Sequence, residues 1–145
     1  MTAITTRPLS DSEPDVAAGA ALGDSLLRFA LRADATLCAA VGLLVAMTAD
    51  SLARISGLSA TSGWIVGAGL AGYGVLLYVL AAVPDIRRVG ISVVVGNVLF
   101  TVAAVTTVIA GWLPLTGLGA DLVLSFVAAT VGLAWLQYRG VRRLA

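Results

Sequence analysis

The sequence predicts an all-α membrane protein: four transmembrane helices in an up-down-up-down bundle, with both termini on the cytoplasmic side. Three observations lead there. Of 145 residues, 59% are hydrophobic and 12% charged, against a charged share of about 25% in ordinary soluble domains. The charges fall in tails and turns and leave uncharged runs long enough to cross hydrocarbon. Five glycines lie between Gly63 and Gly74 inside one such run. In water each would cost a helix about 1 kcal/mol relative to Ala, whereas a bilayer enforces helix because unpaired backbone groups are not tolerated in hydrocarbon.

Residues 1–23 are polar, acidic and small, with Pro8 and Pro14 and no apolar run, so they read as a disordered cytoplasmic tail. Asp11, Glu13 and Asp15 stand where a secretory signal would carry basic residues, and no cleavage is expected. The membrane domain is then 24–145, with Asp24 capping a helix that carries Arg28 and Arg32 on one face.

The first span, about 31–50, is short. Only 15 uncharged residues separate Asp34 from Asp50, while a membrane helix needs about 20. Asp50, followed by Ser51 and Arg54, belongs to the wet connector 50–58, so Asp34 lies inside the boundary. A short carboxylate cannot snorkel from there as an arginine can; it must be paired, protonated or facing water. The second span, about 60–83, lies in the 30 uncharged residues between Arg54 and Asp85. A turn at 83–90 leads to the third, about 91–111. That run is rich in Val and Thr, but strands rarely exceed about 10 residues, and length makes it a helix. The turn 111–119 precedes the fourth span, about 119–138, with Asp121 as its cap and a basic tail behind it.

Arginine placement sets the orientation. With the termini and the 83–90 turn on one side, Arg7, Arg28, Arg32, Arg87, Arg88, Arg139, Arg142 and Arg143 collect there and only Arg54 lies opposite. This positive-inside bias predicts a multi-pass membrane protein with both termini cytoplasmic. Trp64 and Trp112 then mark the outer interface, and Trp135 with Tyr138 the inner one.

Two constellations stand out. Gly63, Gly67, Ala71 and Gly74 form a stripe almost without side chains along the second span, which lets another helix approach closely. That makes the second span the spine on which the others pack, or else a face for a homo-oligomer or the wall of a ligand or ion path. In the inner half, Asp34, Asn97, Thr101, Tyr73 and Gln137 can converge on a polar intramembrane site, with Cys38 one turn from Asp34. Ionisable groups inside a membrane are functional candidates. The competing reading pairs Asp34 with Arg32, Arg88 or Arg139 and leaves Asn97 as a bond between helices.

The sequence also excludes. There is no histidine and one cysteine, so no metal site, disulfide or cofactor is expected. Phosphate loops, HExxH, CxxC and the nucleophile elbow are absent, and the chain does not read as an enzyme. A net charge of +1 gives no case for nucleic acid.

The segment Leu31-Arg32-Ala33-Asp34-Ala35, Asn97 followed three residues later by the aromatic Phe100, and Gln137 before the basic Arg142 and Arg143 together resemble a group of small, uncharacterised four-span bacterial integral membrane proteins frequent in actinobacteria. In that group the aromatic is often Trp, from which Phe100 departs. The resemblance implies the fold and the membrane and supplies no activity. The expected role is therefore non-enzymatic, structural or accessory, exercised through helix packing in the lipid bilayer with a homo-oligomer or membrane-protein partner. The alternative is a small oligomeric transporter or channel in which Asp34 titrates.

Overall fold

The computed structural model describes residues 12–144. Its helices are α1 (Ser12–Met47), α2 (Ala49–Ser56), α3 (Ala60–Leu80), α4 (Ile86–Ile109) and α5 (Gly117–Arg143). Helices α1, α3, α4 and α5 are each long and apolar enough to cross a membrane. The protein is an all-α membrane bundle.

Helix starts follow side-chain chemistry. Ser59 accepts from the Ser62 amide at the head of α3, and Asp85 accepts from the Arg88 amide at the head of α4. Residues 86–90 are thus the first turn of a helix, not the turn expected at 83–90. Asp121 is not the cap of α5; Thr116 is, accepting from the Gly119 amide at 3.0 Å. Thr116 has the extended backbone a cap needs, while Asp121 comes too late to reach the free amides of the first turn.

Two further expectations change. Residues 12–23, assigned to the tail, are helical and continuous with the first span, while 1–11 lie outside the described residues. Asp24 consequently caps nothing; it sits within α1 and pairs with Arg28 at 2.8 Å. The connector 50–58 contains α2, whose Ala49 and Ser56 are buried while Asp50, Ser51 and Arg54 face out. Gly57 ends it in the left-handed region at φ 84°, where glycine carries no Cβ penalty.

The centre of the bundle is α1, not the glycine-rich α3. Helix α1 packs against both α3 and α5, and α4 packs against α5 with a lesser contact to α1. Helices α3 and α4, consecutive in the chain, scarcely touch. The α1–α3 contact is made backbone to backbone. A Cβ on Gly67 would stand 2.5 Å from the Ala46 amide nitrogen, and one on Gly74 2.5 Å from that of Ala39. The opposing row is Ala35, Ala39, Gly42 and Ala46 of α1 with Ala49 at the head of α2, and Gly42 is seated on Ala71 and Gly67. With no hydrophobic drive between helices in lipid, such close van der Waals packing holds them together.

At the end that carries the termini, Leu27 of α1 is a wedge, fully buried between Gly140 of α5 and Gly90 of α4. Around it Leu31, Ala35, Leu77, Ala81, Ile86 and Val93 form the core. Arg28 reaches from α1 to the α3–α4 turn, donating to the carbonyls of Ala81 at 2.8 Å and Val83 at 3.2 Å. At the opposite end Thr116 ties the head of α5 to the tail of α2, its amide donating to the Ser56 carbonyl at 2.9 Å and its hydroxyl to that of Ile55. Arg139 and Arg142 lie over Trp135 and Tyr138, a cation–π arrangement suited to the water–lipid boundary.

Candidate functional site

Asp34, Asn97 and Gln137 come from α1, α4 and α5 and meet in the bundle interior, 1%, 4% and 0% exposed. Each is on the buried face of its helix. Asp34 shares that of Leu27 and Leu31, Asn97 that of Gly90 and Val93, and Gln137 that of Thr130 and Ala134. Asp34 is six residues beyond Arg28, or about 9 Å of helix rise further into the bundle.

The three side chains close a ring. The Asn97 Nδ2 group donates to Asp34 Oδ2 at 3.0 Å and to Gln137 Oε1 at 3.1 Å, while Gln137 Nε2 donates to the same Asp34 Oδ2 at 2.8 Å. The other carboxylate oxygen, Oδ1, receives only the Cys38 thiol, 3.5 Å away and one turn along α1. Among the described residues every buried side-chain nitrogen and oxygen has a partner.

None of the anticipated arginine partners reaches Asp34. The ion pairs among the described residues are Arg28–Asp24 and Arg88–Asp85, and Arg32 points outward. Nor does a cavity separate Asp34 from Asn97; they bond directly. The carboxylate is held by amide dipoles in a medium where bare charge is expensive, and two dipoles on one oxygen replace part of its lost hydration.

Oδ2 takes both inter-helix N–H donors, whereas Oδ1 faces only the thiol.

Thr101 and Tyr73 stand apart from the ring. Thr101 is half-buried one turn beyond Asn97. Tyr73 packs against the core and lines a groove between α3 and α4. Phe100 meets Phe126 edge to face, centroids 5.9 Å apart, which fixes α4 on α5 one turn from Asn97. The opposing row, Ala35, Ala39, Gly42 and Ala46 of α1 continued by Ala49 of α2, was missed in the sequence, although its alternating spacing of four and three is the signal of one helix face. Gly63, Gly67, Ala71 and Gly74 are covered by that row. Among the described residues no three His, Cys, Asp or Glu side chains gather into a metal site.

A scan against protein-family models gives no match, and neither the curated proteins nor the solved structures give one.

Proposed function

We propose that this multi-pass membrane protein is non-enzymatic and structural or accessory, acting through helix packing, with the Asp34–Asn97–Gln137 ring as the latch that fixes its shape. One observation carries this reading: the polar groups of the ring satisfy one another across three helices. A site built to take a substrate leaves an opening for it, whereas these three side chains are 1%, 4% and 0% exposed and bond directly to one another. Inter-helix bonds of this kind contribute about 0.6–2 kcal/mol each in membranes. The positive-inside distribution supports placing the termini in the cytoplasm, in a bacterial cell membrane. The reading predicts co-purification with a membrane partner or a defined homo-oligomer in mild detergent, and an isolated monomer under those conditions would count against it.

A second reading is favoured by the missing counter-ion. With no arginine on Asp34 among the described residues, its protonation changes the local charge outright, as a proton-coupled transporter requires. Proteoliposomes should then show a pH-dependent flux that Asp34→Asn abolishes, and flux equal to that of empty vesicles would remove this alternative.

A further inference from the structure

Because α3 and α4 scarcely touch, an open groove of about 410 Å³ runs between them at the end of the bundle that carries the termini. Its walls are Tyr73, Leu77 and Leu80 from α3 and Val89, Ser92, Val93 and Gly96 from α4, with Arg88 at its mouth. Nothing in the described chain fills it. In a bilayer such a space cannot stay empty, and its apolar walls admit hydrocarbon rather than water.

The mouth distinguishes this groove from a second one between α1 and α3. The groove between α1 and α3, about 450 Å³, is lined by Ala35, Thr36, Ala39, Ala40, Leu43, Gly74, Val75, Tyr78 and Val79 and has no charged residue. Arg88 lines the α3–α4 mouth, Arg87 precedes it in the first turn of α4, and Arg28 is bonded to the turn beside them. Asp24 and Asp85 offset two of these three arginines, so the mouth retains a single positive charge. Asp85 takes the Nε of Arg88 at 3.1 Å, which leaves the two terminal Nη groups without a partner among the described residues on a side chain that is 87% exposed. Planar guanidinium donors in that position match phosphate oxygens.

We propose that the α3–α4 groove binds one anionic phospholipid, its phosphate on Arg88 and Arg87 and one acyl chain along Leu77, Leu80, Val89 and Val93. The occupant is a lipid rather than a free phosphate because the charged mouth opens directly onto an apolar trough, and only a lipid satisfies both. The bound lipid completes the contact between α3 and α4 that the chain does not make.

A Cβ on Gly96 would meet nothing within 4 Å, so a larger side chain there occupies the groove without pressing on the protein. Gly132 on α5 is equally open and lies outside the groove. The test is native mass spectrometry of protein extracted from vesicles of equal phosphatidylglycerol and phosphatidylcholine. The wild type should retain one phosphatidylglycerol in preference to phosphatidylcholine. Joint Arg87→Ala and Arg88→Ala substitution should lower that retention about 25-fold, at about fivefold for each near-surface charge. Gly96→Leu should abolish it and Gly132→Leu should leave it intact, with Ser92→Leu as a second obstruction of the same groove. Equal retention of the two lipids by the wild type would overturn the proposal. So would wild-type retention in both Gly96→Leu and Ser92→Leu, since the headgroup would then be held by the basic rim alone.

Discussion

Removing the amides around Asp34 should harm the protein more than removing Asp34 itself. Asp34→Leu takes away two hydrogen bonds, to Asn97 and Gln137, and leaves those amides bonded to each other at 3.1 Å. At about 0.6–2 kcal/mol per bond between membrane helices, the loss is about 1–4 kcal/mol. Joint Asn97→Leu and Gln137→Met substitution removes the same two bonds and the third, and strands a carboxylate whose other oxygen meets only Cys38 Sγ at 3.5 Å. An uncompensated buried charge costs about 3–5 kcal/mol. Adding Asp34→Leu to that double variant deletes the stranded charge and should restore about 2 kcal/mol. Reversible unfolding in mixed micelles, followed by tryptophan fluorescence, measures all three. A triple variant no more stable than the double would show that the amides do not hold the carboxylate.

Three other outcomes are expected. Gly67→Leu pushes a side chain into the α1 backbone at Ala46 and Gly42 and should cost about 3 kcal/mol or prevent folding, whereas Gly69→Leu, whose Cβ meets nothing, should stay within about 0.5 kcal/mol of wild type in the same micelle assay. Arg28→Ala frees the Ala81 and Val83 carbonyls and should destabilise by about 2 kcal/mol, visible as faster amide exchange through the α3–α4 turn. Thr116→Val removes both the α5 cap and its bond to Ile55 and should lower stability by about 1–2 kcal/mol, with exchange at the Gly119 amide reporting the lost cap.

The spans were legible because charge cannot enter hydrocarbon cheaply, so runs without charge mark them whatever their side chains. Their ends were less so. The polar sequence before Asp24 gives no sign that α1 begins at Ser12, and the contact with α5, where Gly23 faces Arg143 and Gly140, lies eleven residues further on. The ring was half visible: an aspartate inside the boundary and an asparagine deep in another span had to find partners, but hydropathy cannot say which faces meet. Arg32, Arg88 and Arg139 were equally plausible partners for Asp34 in the sequence. They do not reach it because the faces carrying Asn97 and Gln137 are the ones turned inward. The central place of α1 was hidden for a related reason. Five glycines in one helix are conspicuous, while the alanines opposite them look like ordinary membrane composition.

The separation of Asp34 from Gln137, 103 residues along the chain, governs the order of assembly. At about 5–20 residues per second of synthesis, the carboxylate waits roughly 5–20 s for its last partner. During that interval α1 can already dock on α3 through small residues, but its acidic side has no amide from α5 to meet. The bundle therefore matures from the α3 side towards α5, and its final step is also the one that shields its only fully buried acid among the described residues. A chain truncated before α5 would leave that acid with Asn97 as its one inter-helix amide partner.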